Sequence, residues 1–173
     1  MVHRIFVLLL VVGAAARAQS AFGSQGQIVP FGTVAYTHAS GFVGGDANQI
    51  LIQPGAMWFP ANNVAVGGQV IYGFVDAGTS FHELGFEPLV GFAVPFGNQL
   101  AFFPRVGMQF EWLLPSGGNS ANRVALDGFA PLLFIPAPHV YIGFGPQLNV
   151  EVASSAASKV TSFGLASQIG GYF

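Results

Sequence analysis

The sequence contains no cysteine. That removes a disulfide framework, a thiolate metal site and the lipid-modified cysteine of an exported lipoprotein in one step. Charge is nearly as scarce: Asp, Glu, Lys and Arg make up 7% of the chain, against about 25% in an ordinary soluble domain. Five Lys and Arg in 173 residues are too few to cover a phosphate backbone, so nucleic-acid binding is excluded. Long apolar runs are missing too. After Gln19 no uninterrupted stretch approaches the roughly 20 residues of a membrane-spanning helix.

What is present is mostly apolar: 52% of residues are hydrophobic, with 24 Gly and 18 Phe. The N-terminal stretch MVHRIFVLLLVVGAAARAQS combines a basic start (Arg4), an apolar run from Ile5 to Val12 and the triplet Ala16, Arg17, Ala18. This is the pattern of a secretory signal peptide cut before Gln19, so residues 1–18 are expected to be a targeting segment and the chain to be exported. Without that segment Arg105, Arg123 and Lys159 face seven carboxylates, a net charge of −4.

The rest of the chain repeats with period two. In GFEPLVGFAVPF the even positions Phe86, Pro88, Val90, Phe92, Val94 and Phe96 form one face, and Glu87, Leu89, Gly91 and Ala93 the other. In LAFFPRVGMQFEWLL, Val106, Met108, Phe110, Trp112 and Leu114 alternate with Arg105, Gly107, Gln109 and Glu111. A strand of a soluble sandwich alternates as well. Its polar face, however, is usually dense in charge, whereas here it is Gly, Ala, Gln and Ser with isolated charges, which suits a narrow interior packed with side chains. An apolar outward face in hydrocarbon also requires closure, because an open sheet edge leaves backbone groups unpaired.

Three hairpin-like units, LIQPGAMWFPANNVAVGGQVIYGF, GFEPLVGFAVPFGNQLAFFPRVGMQFE and GFAPLLFIPAPHVYIGFGPQLNVEV, share Pro-containing tight turns: PANN, PFGN and PAPH. Longer polar segments (HASGFVGGDAN, DAGTS, PSGGNSAN, ASSAAS) lie between them. Short turns on one side and longer loops on the other fit an up-and-down barrel. The expected strands run over about 27–37, 49–59, 64–75, 80–95, 99–114, 122–135, 139–152 and 160–173, so an all-β, eight-stranded antiparallel transmembrane barrel domain is expected over 19–173. Pro54, Pro88, Pro104, Pro131 and Pro146 fall inside these strands and are expected at bulges.

On this pattern the mature chain resembles the small eight-stranded outer-membrane barrels, the class of the OmpA membrane domain, OmpX and OmpW. The likeness is architectural and carries over no binding site. The last strand, with Phe163, Leu165, Ile169, Tyr172 and Phe173, resembles the C-terminal signal read by the bacterial outer-membrane assembly machinery. The resemblance implies residence in a bacterial outer membrane, with lipid and that machinery as partners.

The lumen is expected to hold Gln53, Gln69, Glu83, Glu87, Arg105, Gln109, Glu111, Gln147, Asn149 and Glu151 as a packed polar plug, with Glu87 and Arg105 as its ion pair. Inner-face Gly67, Gly73, Gly91, Gly107 and Gly164 either leave room or relieve large neighbours. Tyr36, Trp58, Phe59, Tyr72, Phe74, Trp112, Tyr141 and Tyr172 are expected near strand ends at the membrane interface. The role expected is structural or surface-interacting and non-catalytic, with no cofactor. A narrow channel or binding protein for small or hydrophobic molecules is the alternative, with Ile71, Val75 and Leu89 as its few apolar lumen candidates. The least favoured reading is a lipid-modifying enzyme: His38 and Ser40, two apart, are similar to the His-x-Ser of outer-membrane lipid A deacylases, with Asp46 the local acid and no Asn after Ser40. His82 beside Glu83, and His139 in a turn, lack metal-ligand spacing.

Overall fold

The alternation described above becomes, in a computed structural model, one continuous antiparallel sheet rolled shut. The structure describes residues 21–42, 45–76, 80–115, 120–155 and 161–173, leaving aside the side chains of 37–42, 45–47, 76, 80–81 and 115; the expected signal segment 1–18 lies outside these residues. The segments in chain order are β1 (Ile28–Phe42), β2 (Gly45–Ala61), β3 (Val64–Asp76), β4 (Ser80–Phe92), β5 (Val94–Phe96), β6 (Leu100–Phe102), β7 (Arg105–Pro115), β8 (Ala121–Phe129), β9 (Leu132–Ala137), β10 (Val140–Ser154) and β11 (Thr161–Gly171).

These eleven segments make eight staves, because β4 with β5, β6 with β7 and β8 with β9 are each one strand interrupted at a common level. Backbone bonds carry the ladder through the interruptions: the Phe92 N–H donates to the Pro104 carbonyl (2.9 Å), Phe103 to Pro131 (3.0 Å) and Ala130 to Pro146 (3.1 Å). Proline has no N–H to give the ladder, so strands break or skip a bond where it sits. Pro104 and Pro131 occupy two of the breaks. Pro54 and Pro88 remain within strands, at points where the β2/β3 and β4/β7 ladders each skip two pairs. Pro146 stays within β10 opposite the β8/β9 break, paired with Leu165 on its other side.

Closure comes from β1 against β11, in register from Phe31 opposite Gly170 to Ser40 opposite Thr161. Ile28 and Phe173 then exchange both backbone hydrogen bonds at 3.0 Å. No open edge is left between the first and last staves. Strands β1 and β2 run further than expected: most of the polar segment 38–48 is ladder up to Phe42 and again from Gly45, instead of loop.

Side-chain direction follows the two-residue period throughout. Outward positions are exposed and apolar all around the ring, among them Val34, Ile52, Val70, Phe86, Val106, Leu126, Ile142, Leu165 and Ile169. Inward positions form two stacked zones. The apolar zone, at the side of the tight turns, gathers Phe22, Met57, Phe59, Leu89, Phe103, Leu133, Tyr141 and Tyr172. A polar zone fills the remainder around a small cluster of Ala35, Leu51, Ile71, Phe129 and Ala166.

Candidate functional site: the barrel interior

The polar zone is built from residues that the alternation sends inward from every stave, and it resolves into local groups set by register. Glu87 stands opposite Gln69 in the β3/β4 ladder. Gln69 Nε2 donates to Glu87 Oε2 at 2.7 Å, and Gln109 Nε2, from the next stave, donates to the same oxygen at 3.1 Å. Asn149 donates in turn to Gln109 Oε1. Nearby, Gln147 Nε2 donates to Asp127 Oδ2 at 2.9 Å.

Towards the loop side, Arg123 faces Glu111 directly across the β7/β8 ladder. Its Nε and Nη2 both lie 2.5 Å from Glu111 Oε2, and Nη2 lies 3.4 Å from Glu83 Oε1. Gln49 donates to the other oxygen of Glu83. Glu151 is buried at the same side, with Oε1 making no hydrogen bond.

Arg105 sits at the border of the two zones. The expected ion pair with Glu87 does not form, because register separates them: Arg105 stands opposite Gly91, four residues along β4 from Glu87, or about 13 Å of strand. The guanidinium instead lies 4.5 Å from the Phe31 ring centre and 4.8 Å from that of Phe129. It donates to Gln168 Oε1 at 2.6 Å and Thr33 Oγ1 at 2.8 Å, and Gln168 Nε2 passes the chain on to the Tyr141 hydroxyl at 2.6 Å. Arginine suits such a place, since its planar, weakly hydrated cation stacks on rings while its edge donors stay bonded.

Of the expected lumen residues, Gln53, Gln69, Glu83, Glu87, Arg105, Gln109, Glu111, Gln147, Asn149 and Glu151 are all buried. Sequence reasoning missed Arg123, Asp127, Gln49, Gln168 and Thr33, equally buried. The signal was available for two of them: in ANRVALDGF, Arg123, Ala125, Asp127 and Phe129 alternate with Val124, Leu126 and Gly128. Ile71, Val75 and Leu89 also point inward, but as packing.

Inner-face Gly67, Gly73, Gly91 and Gly107 make room for large neighbours. A Cβ on Gly107 would stand 2.0 Å from Glu87 Oε1, and one on Gly91 3.0 Å from the Phe103 ring. Three of the aromatics expected at the membrane interface belong inside: Phe59, Tyr141 and Tyr172 are buried in the apolar zone, while Tyr36, Trp58, Tyr72, Phe74 and Trp112 face out. Inward parity at those three positions outweighs interfacial preference.

The histidines do not assemble a reactive site among the described residues. His82 faces outward and pairs through Nδ1 with the Tyr72 hydroxyl at 3.3 Å. His139 Nδ1 donates to the Tyr172 carbonyl at 2.7 Å, with its ring stacked on Phe173. The side chains of His38, Ser40 and Asp46 lie outside the described residues; in register, His38 is opposite Asn48 and Ser40 opposite Thr161. Among the described residues no group of three or more His, Asp or Glu is placed to hold a metal ion.

Eight closed antiparallel staves also describe several solved structures. Neisserial surface protein A matches with a TM-score of 0.67 at 14% identity, over 86% of this chain and 100% of that one. The fold is that of the small outer-membrane barrels. Ail, the attachment invasion locus protein of Yersinia pestis, matches at a TM-score of 0.53 and 13% identity, over 86% of this chain and 99% of that one. OprG from Pseudomonas aeruginosa matches at 0.52 and 11%, over 91% and 99%. No protein-family model matches the sequence, and comparison with curated proteins gives no match.

Proposed function

We propose that the chain is a non-catalytic protein of a bacterial outer membrane, acting as a structural or surface-interacting barrel and not as a pore. One observation carries the membrane reading: the outward face is apolar on every stave of a ring without edges. On β3 that face runs from exposed Val64 through Val66, Val70 and Tyr72 to Phe74, ten residue steps or about 25 Å of membrane depth for a strand tilted by roughly 40°. Such a surface in water would far exceed the patches a soluble monomer exposes. The filled interior supports a non-conducting barrel, as expected at this strand number. The last stave, with Phe163, Leu165, Ile169 and Phe173 on its outward face and Tyr172 inward, serves as the element read during assembly.

The test is fractionation and refolding. The chain should need detergent, sediment with outer membranes and run differently on gels when boiled and unboiled; a monomer soluble without detergent overturns the reading. Planar-bilayer recordings should show no steady current, and a defined unitary conductance would favour the channel. Phe173→Ala should lower the amount assembled in cells yet leave refolding into micelles intact; unchanged assembly removes the signal role.

A further inference from the structure

The side of the barrel bearing the tight turns is covered by a segment that belongs to no strand. Residues Ala21–Gln27 precede β1 and fold across the mouth, placing Phe22 inside with 3% of its surface exposed. Its ring meets those of Phe59, Phe103, Tyr141 and Tyr172 at centroid separations of 5.3–5.7 Å, all edge-on. This is the arrangement aromatic quadrupoles favour.

The backbone around Phe22 is shaped for the purpose. The Gly23 carbonyl accepts from Asn63 N–H (2.7 Å), Gly26 N–H donates to the Phe59 carbonyl (2.8 Å) and Phe59 N–H donates to the Gln27 carbonyl (2.9 Å). Gln25 N–H donates to Asn62 Oδ1 at 2.9 Å. Gly23 has φ +94°, and a Cβ there would come within 2.9 Å of the Ala93 Cβ. Only glycine combines that dihedral with that closeness. Apart from the Gly23–Gln27 side-chain turn (2.9 Å), these anchors reach one stretch of wall, Phe59–Asn63, while the ring reaches across to the staves opposite.

We propose that Ala21–Gln27 is a tethered stopper, with Phe22 as its head, that makes the lumen blind at the turn side. The polar zone then exchanges with solvent from the loop side alone. The proposal deepens the non-conducting reading above and rests on it. Removing the head should unseal the mouth without opening a through-path, because Arg105 wedged between Phe31 and Phe129 lies next inside. Access, not current, is therefore the quantity to read.

The absence of cysteine makes a single reporter clean. Ala65→Cys places a small thiol in the apolar zone, at a position with 0% exposure. It is made alone, with Phe22→Ala, and with Gly23→Val, each chain starting at Gln19 and refolded in micelles, then exposed to a charged methanethiosulfonate reagent. The thiol should be nearly inert when the stopper is intact and react at least about tenfold faster in both stopper variants, as for a locally opened segment. Phe22→Tyr should stay slow. Equal rates with and without the Phe22 head, or rapid labelling with the stopper intact, overturn the proposal. The heat-dependent gel shift read on each variant separates this from the barrel itself: its absence from the Ala65→Cys parent tells against the membrane barrel. Its loss only in both stopper variants makes the segment part of the barrel's foundation and also overturns the stopper.

Discussion

The two zones of the interior obey one parity rule with opposite chemistry. At the turn side the rings of Phe59, Phe103, Tyr141 and Tyr172 all meet that of Phe22, and backbone groups of Phe59 and Tyr172 are hydrogen-bonded. Further in, five carboxylates (Glu83, Glu87, Glu111, Asp127, Glu151) share the space with two guanidiniums, Arg105 and Arg123. The apolar zone is stabilised by area and dispersion, which tolerate approximate fits. The polar zone depends on particular partners, because a buried charge that loses its counter-charge recovers nothing from solvent. Aromatic packing thus fills the turn-side mouth, and specific charge and amide pairs fill the interior beyond it.

The largest effect should come from breaking the polar zone at the cation that pairs with two carboxylates, Arg123. Arg123→Met leaves Glu111 and Glu83 buried without their guanidinium, and removing one member of a buried pair costs about 3–5 kcal/mol. Urea unfolding from micelles measures it. Combining Arg123→Met with Glu111→Gln and Glu83→Gln should recover most of the loss. A single variant within about 1 kcal/mol of the parent would show that the charges are screened, as surface pairs are, and would erase the difference between the zones.

Next in size is the outer face, which is the control for both zones. Val106 is 63% exposed and points away from the interior; Val106→Arg should cost about 2–4 kcal/mol in a bilayer if it lies near the midplane. Gln109→Asn, one shortened side chain inside, should cost clearly less. Unfolding in liposomes compares them, and equal losses would mean that inside and outside have been exchanged.

A smaller effect is expected in the apolar zone. Phe103→Leu removes three buried carbons and the ring contacts with Phe22 and Phe59, a smaller truncation than Phe→Ala, and should cost about 1–2 kcal/mol. The same unfolding assay reads it. A loss as large as that of Arg123→Met would mean that ring geometry specifies this end as tightly as charge specifies the other.

Much of this was legible in the sequence because a barrel wall has the simplest of patterns. Six of the eight staves fell close to their expected ranges, β1 and β2 running further, and the ten expected lumen residues from Gln53 to Glu151 lie inside as their alternation requires. What was not legible depended on register. Glu87 and Arg105 lie on neighbouring staves, yet only the offset that puts Gly91 opposite Arg105 keeps them apart, and alternation carries no information about offset. The same limit hid which rings meet: Tyr141 and Phe59 read as interfacial aromatics until parity was combined with position along the barrel. The stopper has no period at all. In AFGSQGQ only the two glycines hint at a turn, and the burial of Phe22 comes wholly from the staves around it.

The smallest expected effect is the most diagnostic for the polar zone. Gln53 is fully buried on β2, and neither its Oε1 nor its Nε2 makes a hydrogen bond, unlike Gln69, Gln109 and Gln147, each of which donates to a carboxylate or its neighbour. A buried amide without partners costs about 1–3 kcal/mol in desolvation, while an apolar group of the same shape avoids that cost. Gln53→Leu should therefore leave stability unchanged or raise it by about 1 kcal/mol. Gln109→Leu, which strips donors and acceptors from Glu87 and Asn149 together, should lower it by about 1–3 kcal/mol. Parallel urea titrations of the two variants decide the matter. A clear loss from Gln53→Leu would show that Gln53 belongs to the bonded network, and that the polar zone extends unbroken across β2.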